Sequence, residues 1–86
     1  MSIEQTIREF VASELSWSGA ASALSDDLPL IPSGAVDSLG LVRLVSFVES
    51  CYGIPIAVEE VVPRNFGTIA AIARFVERRR AGSELP

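Results

Sequence analysis

Apolar residues recur at the three-to-four-residue spacing of an α-helix in separate stretches of this chain. In the first stretch five of them fall on one face: Ile3, Ile7, Phe10, Val11 and Leu15. Ser2 and Gln5, at the start of this stretch, have the spacing of a capping box. In this motif the serine hydroxyl accepts from a helix amide and the glutamine side chain reaches back to the amide of the serine. The pattern therefore predicts a first helix from about Ile3 to Leu15.

A second stretch begins at Asp37, a residue type that is favoured as a helix N-cap, and ends at about Tyr52. Gly53 follows, and glycine readily takes the left-handed backbone conformation that ends many helices. At 100° per residue, one side gathers the residues expected to face the core: Leu41, Leu44, Val45, Val48, Cys51 and Tyr52. Cys51 is therefore predicted to be a buried structural thiol rather than a reactive one.

The opposite side of this second helix is predicted to face solvent, and it carries Leu39, Val42, Arg43, Ser46, Glu49 and Ser50. Ser38 lies at the border between the two sides, near the amino end of the helix. Two apolar residues, Leu39 and Val42, thus point at solvent beside this serine.

The last third of the chain predicts two more helices. A short apolar stretch from Val58 to Val62 is closed by Pro63, which disfavours helix at the residue before it, and predicts a helix of one or two turns. Thr68 then caps a final helix whose core side is Ile69, Ile72, Ala73 and Val76. The arginines at positions 78–80 complement the dipole at the end of this helix, an interpretation that we prefer to a nucleic-acid-binding patch.

The connection over residues 16–36 is longer than the roughly 12 to 15 residues usual for a loop without regular structure. We expect it to be pinned by apolar anchors, which are Leu24, Leu28, Leu30 and Ile31. Trp17 is expected to cover the edge of the core. The prediction is an all-α fold: a small four-helix bundle with three longer helices, a short third one and a long first loop. The chain is predicted to be a single domain over residues 1–86, with residues 81–86 as a flexible tail.

Composition and charge exclude several classes of function. The net charge of −4 argues against nucleic acid and anionic membranes as partners. The single cysteine and the absence of histidine leave neither an internal disulfide nor a usual zinc-ligand set. No apolar run approaches a membrane span and no signal peptide is evident, so we expect a cytoplasmic monomer that does not bind membranes.

Ser38 is the main candidate for chemistry. A serine nucleophile normally needs a nearby base, most often histidine, and this sequence contains neither histidine nor lysine. The interpretation of Ser38 as a catalytic nucleophile is therefore weak. A serine at an exposed helix start is better suited to being modified by another enzyme.

Several motifs around Ser38 resemble the acyl and peptidyl carrier protein family. They are the run Pro-Leu-Ile-Pro-Ser-Gly-Ala-Val-Asp-Ser-Leu-Gly at 29–40, Val-Glu at 48–49, Tyr-Gly-Ile-Pro-Ile at 52–56 and Asn-Phe-Gly-Thr-Ile at 65–69. The resemblance implies that a phosphopantetheinyl transferase moves 4'-phosphopantetheine from coenzyme A onto Ser38. It also implies that Asp37 takes part in recognition by the transferase as well as capping the helix, and that the chain itself performs no catalysis. Its further partners would be an acyl- or aminoacyl-loading ligase and downstream synthase or tailoring enzymes.

Two residues depart from the pattern of fatty-acid carriers, which usually have an acidic residue directly after Asp-Ser-Leu and an acidic second helix. Here Gly40 and Arg43 occupy that region. We therefore favour a discrete carrier in a specialised pathway, such as polyketide or nonribosomal peptide synthesis, over a primary fatty-acid carrier. The cargo, acyl or aminoacyl, stays open.

A third hypothesis comes from another class: a small helical interaction domain, without a prosthetic group, whose exposed Leu39 and Val42 bind a partner. For a carrier, the same residues together with Arg43 are the predicted partner-binding surface.

Overall fold

The computed structural model describes residues 2–15, 17, 19 and 21–82, and these residues form a helical bundle in which no strand occurs. Its four α-helices are α1 (Ile3–Glu14), α2 (Ser38–Tyr52), α3 (Pro63–Phe66) and α4 (Ile69–Gly82), and two single 3-10 turns lie at Ala21–Ala23 and Val58–Glu60. The predicted fold class, with three longer helices, one short one and a long first loop, is confirmed.

The ends of α1 and α2 follow from their capping residues. The Ser2 hydroxyl accepts a hydrogen bond from the Gln5 amide at 3.0 Å, but the Gln5 side chain donates to Glu9 instead of reaching back, so only half of the predicted capping box forms. The Asp37 carboxylate accepts from the Gly40 amide at 2.6 Å and begins α2, and Gly53, with φ of 64°, ends it. Both predicted boundaries of α2 are confirmed.

The short helix predicted within Val58 to Val62 is a single 3-10 turn at Val58–Glu60. The short α-helix is a separate turn that begins at Pro63, the residue predicted to close the helix. Proline is favoured at the first position of a helix because an N–H group there would have no acceptor within the helix, so its absence costs no hydrogen bond. The predicted Thr68 cap of the next helix is confirmed, since its hydroxyl accepts from the Ala71 amide at 3.0 Å.

The end of α4 bears on the predicted tail at 81–86. The helix continues through residue 82, so the first two residues of that segment are helical. Residues 83–86 lie outside the described part of the chain.

The core lies where α1, α2 and α4 meet, and the long loop closes one end of it. Its fully buried large side chains are Ile7, Val11, Leu24, Leu30, Val36, Leu44, Val48, Ile69, Ile72 and Val76. Trp17 is half-buried and packs against this cluster, as predicted.

Two residues expected in the core lie outside it. Ile31 is 49% exposed because it sits in a turn, closed by the hydrogen bond from the Gly34 amide to the Ile31 carbonyl, that lifts its side chain from the bundle. The fully buried residues of α2 stop at Val48, and Cys51 is exposed. The helical wheel groups Cys51 with Leu44 and Val48, so its predicted burial is wrong, although the next residue, Tyr52, packs against the core.

Polar contacts hold the long loop in place in addition to its buried leucines. The Arg8 guanidinium on α1 donates to the Leu24 carbonyl at 2.8 Å and forms an ion pair with Asp26. The Asp26 carbonyl accepts from the Ala70 amide at 2.9 Å, at the start of α4. These bonds fix the loop that delivers the chain to the start of α2.

The arginines near the end of α4 all have specific neighbours. Arg79 donates to both carboxylate oxygens of Glu60 at 2.7 Å and to the Pro55 carbonyl at 2.7 Å. Arg78 contacts the Asn65 side chain, and the Arg80 guanidinium lies 5.7 Å from the centre of the Tyr52 ring. Tertiary contacts, in addition to the helix dipole, therefore explain this run of cations.

We expect Glu60 to titrate below its ordinary pKa of 4.5. A hydrogen bond from the Ala57 amide, followed in effect by the bonds from Arg79, lowers its pKa by favouring the carboxylate. The stabilisation from this carboxylate is complete above pH 4.5 and is lost as the pH falls through the lowered pKa. NMR titration of the Glu60 carboxyl carbon measures the pKa, and a midpoint at or above 4.5 would contradict the assignment.

Candidate functional site

Ser38 is the first residue of α2 and is exposed, at the end of a segment that is otherwise held in place. Ala35 and Val36, just before it, are buried, and the Val36 amide donates to the Leu30 carbonyl at 3.0 Å. The Asp37 carboxylate is engaged in capping α2. The structure therefore presents the Ser38 hydroxyl to solvent from a fixed position.

The surroundings of Ser38 suit a covalently attached phosphodiester. The amino end of a helix carries partial positive charge, which stabilises an anionic group there. A small cavity of about 130 Å³ lies beside the start of the helix, and Leu15, Asp37, Leu39, Gly40 and Arg43 line it. Exposure of Ser38 and its place at the amino end of the helix dipole thus fit a phosphate-linked group.

The two apolar residues beside Ser38 face solvent as predicted. Leu39 is 70% exposed and Val42 is 63% exposed. Burial of a large aliphatic side chain against a partner lowers the free energy, so this patch is available for an interaction.

Arg43 has an intramolecular role that the sequence did not reveal. Its guanidinium donates to the Glu14 carbonyl at 2.7 Å and lies 3.6 Å from the Glu14 carboxylate. The end of α1 has no basic residue in its own last turn, so Arg43 supplies the missing cation from α2. Its side chain nevertheless remains 49% exposed.

Gly40 is buried, and the space around it explains why a glycine stands there. A β-carbon at this position would lie 3.0 Å from the Asp37 carboxylate oxygen and 3.6 Å from the Leu15 side chain. The first contact is tighter than ordinary packing. Gly40 therefore lets Leu15 and the capping carboxylate close tightly over the start of α2.

Two apolar cavities flank the face of α2 that carries Val42. One, of about 430 Å³, lies among the long loop, α2 and α3, and Ile31, Leu41, Val61 and Phe66 are among its lining residues. The other, of about 210 Å³, lies between α2 and the 58–60 turn, where Val58 is 84% exposed. Leu41 and Val61 line both cavities. Sequence analysis missed this extension of the apolar surface because only the tertiary fold brings Val58 and Val61 beside α2.

A helical bundle that exposes a serine at the start of its second helix, beside an uncovered apolar patch, defines the architecture of a carrier domain. The chain matches the family described as phosphopantetheine attachment site over residues 5–76. It is also 30% identical over 66 residues to the probable acyl carrier protein PigG of Serratia sp. (strain ATCC 39006), an alignment that covers 77% of this chain and 76% of that protein. The chain belongs to the family of phosphopantetheine-dependent carrier proteins.

Family membership defines the cofactor and the general kind of partner. The prosthetic group is covalently attached 4'-phosphopantetheine, and a carrier domain interacts with the enzymes that modify and load it. Within the described ranges, none of the helices has both the length and the apolar character needed to cross a membrane.

Proposed function

We propose that Ser38 is the residue that carries 4'-phosphopantetheine, and that the chain is a cytoplasmic, monomeric carrier of an acyl or aminoacyl intermediate. The observation that supports this most directly is the exposure of Ser38 at the first position of α2, inside the matched region. Intact-mass measurement after incubation with coenzyme A and a phosphopantetheinyl transferase tests the attachment.

The attached arm supplies a terminal thiol, on which the cargo is held as a thioester activated for acyl transfer. The chain's own residues provide the surface that partner enzymes recognise and fix the position of Ser38. Asp37 holds the first turn of α2 through the Gly40 amide, and the buried Val36 fixes the direction from which Ser38 leaves the bundle. A tether of this kind raises the effective concentration of the cargo at successive active sites of partner enzymes.

We further propose a specialised biosynthetic pathway rather than primary fatty-acid synthesis. The exposed side of α2 offers little free negative charge to a basic partner. Glu49, the acid within α2, accepts from the Ile56 amide at 2.8 Å, and position 40, directly after Leu39, is a buried glycine that offers no charge. Arg43 adds a cation to this side. Partners that recognise an acidic second helix would therefore bind this carrier poorly.

Partner recognition is proposed to centre on Leu39, Val42 and Arg43. We expect Leu39→Ala and Val42→Ala each to slow loading by the partner ligase, because complete burial of such a side chain contributes about 1.5 to 3 kcal/mol, and each 1.4 kcal/mol corresponds to roughly tenfold in affinity. Arg43→Glu should weaken loading further, since it reverses the charge offered to the partner. Loading rates of the modified protein, measured with melting temperatures, check these effects.

The melting temperature separates recognition from folding. Leu39→Ala and Val42→Ala should melt like the parent, because both side chains are exposed. Arg43→Glu should also lower the melting temperature, since it removes the bond to the Glu14 carbonyl. Ser50→Ala, an exposed change near the other end of α2, is the matched control. Unchanged loading in all three variants would exclude this surface.

A further inference from the structure

The arginines of this chain differ in whether the fold provides a partner for their charge. Four of the seven have an acidic or aromatic partner within the chain, and these are Arg8, Arg43, Arg79 and Arg80. The other three, Arg64, Arg74 and Arg78, are exposed and form no ion pair with any residue that the structure describes. The contact of Arg78 is with the neutral side chain of Asn65, at 3.4 Å. Three positive charges therefore face solvent without an internal counterion.

These three arginines lie on two helices that pack together, and we call them the basic surface. Phe66 of α3 and Phe75 of α4 are in contact, with ring centres 5.4 Å apart, which holds the short helix beside the long one. Arg78 reaches across to α3, where its contact is the residue next to Arg64. Arg74 and Arg78 are four residues apart on α4 and therefore lie on the same side of that helix.

Positive charge is concentrated in this part of the chain. Residues 63–82 contain five arginines and one acidic residue, whereas residues 1–62 contain two arginines and nine acidic residues. The one acid on α4, Glu77, is exposed near Arg74 and Arg78, so the basic surface keeps a net positive charge. Like charges four residues apart destabilise a helix. Stability of α4 therefore does not explain why Arg74 and Arg78 occupy these positions.

The basic surface is separate from the proposed partner surface at Leu39 and Val42. Because α2 buries Val48 and α4 buries Val76 in the same core, the exposed sides of the two helices face away from it in different directions. None of the three arginines lines either apolar cavity beside α2. A protein that covers Leu39 and Val42 therefore leaves the basic surface open to a second contact.

We propose that the basic surface is a second docking site, which binds an acidic helix of a partner protein. Arginine forms paired, charge-assisted hydrogen bonds with carboxylates. Since Arg74 and Arg78 are about one helical turn apart, carboxylates that are one turn apart on a partner helix match them. Arg64 on α3 offers a third guanidinium beside this pair.

A nucleic acid matches this surface less well than an acidic helix does. Duplex DNA carries one charge about every 1.7 Å along its axis, so it would continue past α3 and α4 and meet the acidic remainder of the chain. The charge of a protein helix can instead be confined to a few turns. If Ser38 carries the arm, as proposed above, a second contact keeps the carrier near a partner while Leu39 and Val42 exchange between enzymes.

Binding of a synthetic helix to the unmodified chain tests this site without relying on Ser38. The probe is an alanine-rich peptide with a glutamate at every fourth position, which gives one acidic side. The comparison peptide has the same composition, but its glutamates are spread around the helix. In NMR titrations of the isotope-labelled chain at low ionic strength, the probe should shift the amides of Arg64, Arg74 and Arg78. It should also bind more tightly than the comparison peptide.

Substitutions that remove one charge each locate the site. Arg74→Gln and Arg78→Gln should each weaken binding of the probe about two- to fivefold, the range for exposed ion pairs. Neither should lower the melting temperature, because each relieves repulsion between like charges. Arg80→Gln is the matched control, since it removes the same charge from the same helix. Its guanidinium lies 5.7 Å from the centre of the Tyr52 ring, away from the basic surface, so this variant should bind the probe like the parent.

Four results would overturn the proposal. An equal loss of affinity in the Arg80 variant would mean that only the net charge matters. Equal binding of the two peptides would mean that the surface does not recognise the spacing of carboxylates. Larger shifts at Leu39 and Val42 than at the three arginines would place the contact elsewhere. Tighter binding of single-stranded DNA with the same number of charges, at the same three residues, would make this a nucleic-acid surface.

Discussion

Ser38→Ala is expected to abolish attachment of 4'-phosphopantetheine while leaving the bundle folded. The hydroxyl is the nucleophilic oxygen that the transferase must join to phosphorus, and alanine offers none. The fold should survive because Ser38 is exposed, because Asp37 still caps α2, and because alanine is a better helix former than serine. Intact-mass spectrometry after treatment with coenzyme A and a transferase, together with a thermal melt, measures both effects.

Another serine on the same helix provides the control. Ser50 is exposed in the last turn of α2, far along the helix from its amino end, so Ser50→Ala should be modified like the parent. Modification of the Ser38→Ala variant would show that the attachment residue lies elsewhere. Absence of a mass shift in the parent would also contradict the assignment of Ser38.

The position of Ser38 could be predicted from sequence because it depends on local features. Asp37 caps the helix with its own carboxylate, and Gly53 stops it with a left-handed backbone, so both ends of α2 are determined within a few residues. Helical spacing then places Leu39 and Val42 outward, and the structure agrees.

The contacts between distant segments could not be predicted in this way. Arg8 meets Asp26 across 18 residues, Arg79 meets Glu60 across 19 and Arg43 meets Glu14 across 29. Nothing in the local pattern pairs these charges, since each arginine has several acids at comparable separations. The sequence therefore indicates only a helix end or a partner surface for such arginines, and the fold supplies their intramolecular contacts.

Two predictions of burial are wrong for a different physical reason. Helical phase groups side chains by face but does not give how completely the rest of the fold covers each one. Cys51 shares the face of Leu44 and Val48 and yet is exposed. Ile31 is apolar and lies next to Leu30, but a turn directs only the leucine into the bundle.

Ile72→Ala is expected to destabilise the bundle more than any of the surface substitutions above. Ile72 is fully buried on α4, where it packs in the cluster that α1 and α2 share. Truncation removes apolar contacts and leaves a cavity, which costs about 2 to 5 kcal/mol in well-packed sites. Small domains have total stabilities of about 5 to 15 kcal/mol, so the loss takes a large share. Urea denaturation measures the change in the free energy of unfolding, and an unchanged denaturant slope would show that the shift in midpoint reports a change in stability.

Val45→Ala on α2 is the informative comparison. Val45 is only half-buried at the edge of the core, beside the smaller apolar cavity, so its truncation removes less contact and leaves an open groove rather than a closed void. We expect it to cost about 1 kcal/mol, near the transfer free energy of the removed groups alone. In a domain of this size, each kcal/mol lowers the melting temperature by roughly 4 to 8 °C. The Ile72 variant should therefore melt well below the Val45 variant. Equal losses in the two variants would mean that the cavity beside Val45 is as closed as the core itself.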